Sequence, residues 1–295
     1  MSNDEQTKSS FQEKWKSANE YQNKGSASFD TDTLNWILTR NGFRNVDDFS
    51  IFLKEFPVVL DAGCGNGRIL KLLAELSGSE QKLYGIDLAA AEIARDNLRG
   101  NSNVFVEAGD LVEYSTLEGV CQPDFIYCQE VLHHTTEPKT SFSNLVRLLN
   151  SNGQLAIYVY KEKAPIREFT DDFVRTQISS LNHEEASKLM EQFAELGRVL
   201  SNLKIQVEIP EVSVLGISPG KYDLQRFVYN YFMKCYWNEE LSFEDNTMIN
   251  FDWYHPSLCS RHTVEEVRAW FSENNLEVVH EYVDEYGITM RGKKS

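Results

Sequence analysis

The sequence predicts an α/β fold built on a doubly wound parallel sheet. Short apolar runs alternate with helical patterns four times before residue 160, as in a chain of βα units. The first unit carries the most information, because the apolar run Val58–Leu60 ends at Asp61 and three glycines follow at Gly63, Gly65 and Gly67. A strand, a glycine turn and a helix opening at Arg68 place backbone N–H groups at the carboxyl edge of the sheet. Open α/β folds bind ligands at that edge.

Composition disfavours several classes of partner and site. The 295 residues include 45 acidic and 29 basic side chains, which gives a formal charge of −16. Such a field repels phosphate backbones over long range and disfavours a nucleic-acid partner. No run of about 18 apolar residues is present, and the first residues do not resemble a secretory signal, so we expect a cytoplasmic protein without a membrane span. Five cysteines without a C-x-x-C pair predict free thiols and no metal site.

The spacing of the glycines separates two families of nucleotide-binding enzymes. The dinucleotide fingerprint requires a glycine at the position of Arg68, which disfavours an NAD-dependent oxidoreductase. The pattern D-x-G-x-G-x-G that begins at Asp61 instead resembles the first motif of class I S-adenosylmethionine-dependent methyltransferases. The resemblance extends over residues 56–160. It implies S-adenosylmethionine as the cofactor and methyl transfer to a small-molecule acceptor.

The ends of the predicted strands supply the cofactor-binding candidates. Asp87 ends the second strand, where a carboxylate can accept hydrogen bonds from ribose hydroxyl groups, although a solvated acid at a strand end is the alternative. The resemblance places Asp110 and Leu111 at the adenine, and Asp110 can also cap a helix. The predicted cofactor-binding residues are Asp61, Gly63, Gly65, Asn66, Gly67, Asp87, Leu88, Gly109, Asp110, Leu111, Gln129 and Leu132.

Two adjacent histidines follow the fourth predicted strand. The turn QEVLHHT, at 129–135, resembles the post-strand motif of small-molecule methyltransferases. His133 and His134 are therefore the candidate catalytic residues, since an imidazole can take a proton near neutral pH. The alternative is that one ring packs on the cofactor and the other caps the next helix. O-methylation is the favoured reaction, and a catalytically silent protein that binds the cofactor is the competing hypothesis.

The chain divides into four predicted segments. Residues 1–55 form an N-terminal arm with covering helices, 56–160 the cofactor-binding core, 161–250 a helical cap for the acceptor, and 251–295 a closing helix and strand hairpin. The resemblance implies a Rossmann-like sheet of seven strands with an antiparallel last strand. Within these segments, the first 25 residues are expected to be an arm that either packs on the core or closes over the ligand, and 222–237 is expected to be an aromatic-rich helix.

The closing segment supplies the candidates for acceptor binding. The stretches FDWYHP (251–256) and SRHTVEEVRAWF (260–271) look like the tail of bacterial methyltransferases associated with surface polysaccharide or secondary-metabolite synthesis. The guanidinium of Arg261 could fix a carboxylate or phosphate of the acceptor, or it could pair with Glu265 at the helix start. The predicted acceptor-binding residues are Tyr160, Tyr254, His255, Arg261 and His262.

Overall fold

The computed structural model describes residues 2–22, 31–117, 119 and 121–295. Along these ranges the helices are α1 (Asn3–Gln22), α2 (Thr31–Asn41), α3 (Val46–Leu53), α4 (Arg68–Leu76), α5 (Ala91–Asn97), α6 (Tyr114–Leu117), α7 (Pro138–Leu148), α8 (Pro165–Ile178), α9 (His183–Asn202), α10 (Leu224–Tyr231), α11 (Phe243–Tyr254) and α12 (Val264–Glu273). The strands are β1 (Val58–Ala62), β2 (Lys82–Asp87), β3 (Val104–Ala108), β4 (Phe125–Gln129), β5 (Gln154–Tyr160), β6 (Gln206–Ile209), β7 (Gly220–Asp223), β8 (Leu276–Val283) and β9 (Gly287–Lys294). None of the helices within these ranges is long and apolar enough to cross a membrane.

The described chain forms two compact units. The sheet unit comprises residues 11–161 and 260–295, and the helical unit comprises residues 2–10 and 162–259. Helix α1 contributes its first turns to the helical unit and its remainder, from Phe11, to the sheet unit. The domain limits expected from the sequence stay predictions.

The sheet unit contains a single mixed sheet of seven strands in the order β3-β2-β1-β4-β5-β9-β8. The first five strands are parallel, and β9 lies antiparallel to both β5 and β8. The order reverses direction between β1 and β4, which is the switch point where open α/β sheets bind their ligands. The predicted Rossmann-like fold with an antiparallel last strand is confirmed.

Both faces of the sheet are buried, as the apolar central strands require. Leu60, Ile126 and Ile157 belong to one apolar cluster, which includes residues of α7 and α12. Val59 and Ala156 point to the opposite cluster, which includes residues of α2, α3, α4 and α5. Full burial of such side chains contributes about 1.5–3 kcal/mol each, so helices on both faces stabilise the sheet.

Helix α12, in the C-terminal segment of the sheet unit, has a side-chain cap at its N-terminus. Thr263 has extended backbone dihedral angles, and its side chain accepts a hydrogen bond from the N–H of Glu266. The apolar residues Val267, Trp270 and Phe271 then bury one face of α12. The Thr263 side chain therefore caps the start of the helix that precedes β8.

The helical unit is organised around a buried ion pair. The guanidinium Nε of Arg167 lies 3.1 Å from Asp171 Oδ2, and both side chains are at most 2% exposed. The same carboxylate accepts hydrogen bonds from Trp253 Nε1 at 2.8 Å and from the Tyr254 hydroxyl at 2.7 Å. These bonds compensate the desolvation of the pair and tie α8 to α11. The short antiparallel hairpin of β6 and β7 belongs to this unit.

Three elements differ from the expectations. The N-terminal residues form α1 rather than an irregular arm, although 23–25 lie outside the described residues. The helix expected over 222–237 is shorter, because β7 extends to Asp223 and α10 ends at Tyr231. The sequence pattern did not indicate α11, since this helix buries polar as well as apolar side chains. Its Asn250 accepts a hydrogen bond from the N–H of Tyr236 and donates one to the carbonyl of the same residue.

Candidate functional site

The loop after β1 has a shape that only glycine tolerates at low cost. Gly63, Gly65 and Gly67 have φ angles of 82°, 54° and 87°, in the left-handed region. A Cβ atom on Gly63 would lie 2.3 Å from the Cγ2 atom of Val131, in the turn after β4. The loop therefore approaches that turn at the switch point of the sheet, and its last glycine is the residue before α4.

Asp87, at the end of β2, holds this loop in place. Its Oδ2 atom accepts a hydrogen bond of 2.8 Å from the N–H of Gly65. Its Oδ1 atom accepts bonds of 2.8 Å from the N–H groups of Ala89 and Ala90, just before α5. An ionised carboxylate offers about four acceptor positions, so Asp87 can still accept a hydrogen bond from a ligand hydroxyl.

Asp61, in β1 just before the glycine loop, is a buried carboxyl group. It is 3% exposed, and its Oδ2 atom accepts no hydrogen bond from any residue that the structure describes. Burial and, secondarily, the charge of Asp87 raise the pKa of Asp61 from its usual 3.8 to about 8, and a backbone hydrogen bond from Leu70 offsets only part of this. A positively charged ligand group would compensate this carboxylate directly.

The remaining cofactor candidates lie along the same strand ends. Asp110 accepts a hydrogen bond of 2.9 Å from the N–H of Val112, so it closes the turn after β3. Both polar atoms of the Gln129 side chain are buried, and neither has a hydrogen-bond partner in the described ranges. Leu111 and Leu132 are core residues, 5% and 0% exposed, whereas Leu88 is 37% exposed.

The two other loop candidates are placed by hydrogen bonds to their neighbours. Asn66 is 6% exposed, and its Oδ1 atom lies 3.3 Å from the N–H of Arg68, which donates to it at the start of α4. Its carbonyl oxygen accepts a hydrogen bond of 2.9 Å from the side-chain amide of Asn97. Gly109 follows β3, and its N–H donates to the carbonyl of Asp87 at 3.3 Å. The roles of the cofactor candidates stay predictions.

The two histidines after β4 have different surroundings. They lie on a short 3₁₀ turn, Leu132–His134. His133 is fully buried, with its ring stacked 3.7 Å from the ring of Tyr160 at the end of β5. His134 is partly exposed, and its ring contacts Tyr160 and Phe11 at centroid distances of 5.7 and 4.9 Å. Of the two imidazoles, His134 is the more exposed.

Backbone hydrogen bonds bring the segment before α12 to the same strand ends. The N–H of Ser260 donates to the carbonyl of His133 at 2.8 Å, and the N–H of His262 donates to the carbonyl of Tyr160 at 2.9 Å. The His262 ring is 5% exposed and lies between Ser260 Oγ, 2.9 Å from Nε2, and Glu266 Oε1, 3.1 Å from Nδ1. Arg261 is partly exposed in this segment.

Tyr254 and His255 belong to the core of the helical unit. Tyr254 is fully buried, and its hydroxyl donates a hydrogen bond to Asp171. His255 is 4% exposed, its Nδ1 atom lies 2.8 Å from Ser10 Oγ, and its ring stacks on Phe251 at 4.4 Å. Both side chains thus have structural partners within their own unit, and their proposed contact with an acceptor stays a prediction.

The N-terminal arm, expected from the sequence either to pack on the core or to close over the ligand, forms α1 and contacts the glycine loop. A Cβ atom on Gly65 would lie 2.6 Å from the Cζ2 atom of Trp15, so the indole ring lies directly against this glycine. Phe11, one turn earlier, contacts His134. The spacing of four residues between Phe11 and Trp15 places both rings on one helix face, and this signal was present in the sequence.

Comparison with known proteins identifies the family. A family model described as a methyltransferase domain matches residues 54–206, just over half of the chain, and this range contains the glycine loop and β1 to β5. The chain belongs to this methyltransferase family. The predicted relationship to class I S-adenosylmethionine-dependent methyltransferases is thereby confirmed.

Individual proteins with known sequences or structures resemble this chain only at low identity or over part of their length. An uncharacterized protein of Synechococcus is 32% identical over 120 residues, which cover 39% of this methyltransferase and 28% of the relative. An O-methyltransferase family protein from Burkholderia thailandensis has 12% identity and a TM-score of 0.48, covering 85% of this chain and 55% of that chain. The 1,6-didemethyltoxoflavin-N1-methyltransferase of the same organism, bound to S-adenosylhomocysteine, has 13% identity and a TM-score of 0.47, covering 97% and 88%.

The raised pKa of Asp61 predicts a pH dependence of the ligand-free protein. The carboxyl group ionises near its usual pKa of 3.8 when unfolded but only near 8 when folded. The unfolded state therefore binds fewer protons in this window, and the free energy of unfolding falls as the pH rises from 3.8 to about 8. Asp61→Asn removes the ionisation and should flatten this decline. Denaturant unfolding at several pH values measures it, and an unchanged slope in the variant would contradict the assignment.

Proposed function

We propose that this chain is an S-adenosylmethionine-dependent methyltransferase that transfers a methyl group to a hydroxyl oxygen of a small-molecule acceptor. The observation that carries the proposal is the unpartnered oxygen of Asp61, buried beside a left-handed glycine loop at the sheet's switch point among the described residues. This arrangement places a buried carboxyl group, a glycine loop and a strand-end carboxylate within one short region. Those are complementary to a ligand that carries an ammonium group and a ribose.

The residues at the strand ends fit S-adenosylmethionine, which supplies a methyl group activated by a sulfonium. Asp61 would pair with its ammonium group, because that charge relieves the buried carboxylate. Asp87 would accept hydrogen bonds from the ribose hydroxyls through its remaining acceptor positions. The turn of Asp110 and Leu111 would hold the adenine. The buried amide of Gln129 would donate to and accept from polar cofactor atoms that reach the end of β4.

His134 is our candidate for the general base. It is the partly exposed member of the histidine pair, and it lies beside Tyr160 at the end of β5. An imidazole in that position can accept the proton that a hydroxyl acceptor loses. His133 is enclosed by Tyr160 and its neighbours, so it acts as a positioning residue that supports the turn. Alignment of the acceptor supplies much of the remaining rate enhancement.

Cofactor binding should stabilise the protein in a manner that depends on Asp87. S-adenosylhomocysteine at 100 times its Kd should add about 2.7 kcal/mol to the free energy of unfolding and raise the Tm. Asp87→Asn removes the charge and one acceptor oxygen, so the Tm increase should be much smaller. Asp124→Asn is the matched control, because Asp124 accepts a backbone hydrogen bond from Val58 at the opposite edge of the sheet. A shift with NAD but none with S-adenosylhomocysteine would refute the proposal.

Binding of the cofactor should release a proton from Asp61. At pH 7 this carboxyl group is largely protonated, because its pKa is about 8, and an adjacent ammonium group lowers that pKa. Calorimetric titration of S-adenosylhomocysteine in buffers of different ionisation enthalpy should therefore show up to one proton released at pH 7. Asp61→Asn should bind more weakly and release none from this position. Equal proton release by both proteins would remove Asp61 from the cofactor site.

The histidine assignment can be tested once labelled methyl transfer to an acceptor has been detected. His134→Gln should lower kcat with little change in the Kd of S-adenosylhomocysteine, because the imidazole acts on the acceptor proton. His183→Gln, on the partly exposed histidine at the start of α9, is the control and should retain the original kcat. A His134→Gln enzyme with unchanged kcat across the pH range would show that no imidazole base operates here.

A further inference from the structure

A second pocket lies in the sheet unit between α2 and β8. It has a volume of about 280 Å³, at the lower end of the roughly 300–1,000 Å³ typical of small-molecule sites. This volume suits a single ring rather than a large polycyclic molecule. The lining side chains are Asn35, Trp36, Thr39, Arg40 and Tyr282. None of these residues belongs to the predicted cofactor or acceptor sets.

Arg40 is the unusual member of this lining. It is 5% exposed, and one terminal nitrogen, Nη2, donates to the carboxylate of Asp284. The other terminal nitrogen, Nη1, is buried and has no acceptor within the described chain. Leaving such a donor unsatisfied is costly, so the pocket is suited to a ligand that brings an acceptor oxygen. Four rings lie within 6 Å of the guanidinium carbon, those of Trp36, Tyr158, Tyr282 and Tyr286.

The charges around Arg40 favour an uncharged ligand. Asp284 already balances the guanidinium, and its Oδ1 atom accepts hydrogen bonds from the N–H groups of Tyr286 and Gly287 at 2.8 and 2.9 Å. A second carboxylate or a phosphate would therefore share this single guanidinium with the carboxylate of Asp284 and be repelled by it. In a protein with a net charge of −16, this repulsion disfavours an anion. A neutral hydroxyl or ether oxygen meets no such penalty.

We propose that this pocket, which we call the Arg40 pocket, binds an uncharged sugar ring of the acceptor. Trp36 and Tyr282 provide aromatic surface for the apolar C–H face of the ring. The amide of Asn35, the hydroxyl of Thr39 and Nη1 of Arg40 provide hydrogen bonds for its hydroxyl rim. The inference rests on the proposed methyltransferase function and adds the chemical class of the acceptor.

The Arg40 pocket is linked to the histidine turn by packed rings. The Trp36 ring contacts Tyr158 at 5.3 Å, and Tyr158 contacts His133 at 6.5 Å. The turn that holds Asp284 also lies at the carboxyl end of β5, because Gly287 pairs with Tyr160. The pocket and His134 therefore flank the same strand end, on the edge of the sheet that carries the cofactor loop. A ring held in the pocket would contribute binding energy remote from the reacting oxygen.

The test uses saturation-transfer NMR of neutral methyl glycosides with the full-length protein saturated with S-adenosylhomocysteine. The probes are methyl glucoside, galactoside, mannoside and rhamnoside, with glucuronate and inorganic phosphate as charged competitors. At least one neutral glycoside should show saturable transfer, and neither anion should displace it. Asn35→Ala with Thr39→Ala should weaken its binding about tenfold, and both positions are exposed on α2, where alanine has a high helix propensity.

Matched control variants distinguish a loss of glycoside binding at the pocket from a general loss of folded protein. Arg40→Gln should abolish glycoside binding, whereas Arg44→Gln, at an exposed arginine paired with Asp48, should leave it unchanged. Thr176→Ala with Gln177→Ala on α8 is the control for the exposed double variant. Tight S-adenosylhomocysteine binding without binding of any neutral glycoside would overturn the sugar assignment while the proposed function stands. Stronger binding of glucuronate, or unchanged glycoside binding in the Asn35 and Thr39 double variant, would overturn it as well.

Discussion

The hydrogen bonds of Asp87 are the constraint on which the rest of the cofactor region depends. One carboxylate joins the glycine loop after β1 to the residues that precede α5, through three backbone N–H groups. The loop can follow this path because its glycines adopt left-handed angles. Burial and, secondarily, the charge of Asp87 raise the pKa of the Asp61 carboxyl group to about 8. Ionisation of Asp61 is therefore unfavourable in the ligand-free protein, and a nearby cationic group of a ligand would favour it.

The parallel strands place the histidine turn at the same edge of the sheet as the glycine loop. Because β4 and β5 are parallel neighbours, the histidine turn and Tyr160 emerge at the same edge as the glycine loop. The backbone bonds from Ser260 and His262 then bind the C-terminal segment to that edge. The antiparallel hairpin of β8 and β9 continues the sheet beside β5, and its turn residue Asp284 pairs with Arg40, whose guanidinium carbon lies 5.3 Å from the ring centroid of Tyr158. A single edge therefore carries both the proposed cofactor site and the Arg40 pocket.

The central strands and their helices were predictable because their signals are local. The buried strands β1, β2, β4 and β5 are short apolar runs bounded by turn residues, and β1 begins at the expected Val58 while β2 ends at the expected Asp87. Helix α4 begins after a glycine whose left-handed angle marks the boundary. Helices α1 and α11 were not predicted. Their buried faces include side chains such as Thr7, Ser10 and Asn246, whose partners lie far along the chain or on loops without a pattern.

The sequence alone determined the family, the sheet and the candidate residues around the glycine loop, since glycine conformation and strand-end acids are set by neighbouring residues. Tertiary structure decided which of several similar polar side chains remain accessible at the strand ends. It buried His133, Tyr254 and His255 among partners, left His134 partly exposed, and placed Arg40 beside an aromatic pocket. These outcomes depend on contacts between residues far apart in the sequence, such as Ser10 and His255, which are 245 positions apart. Burial is a property of packed elements, and a local pattern does not contain it.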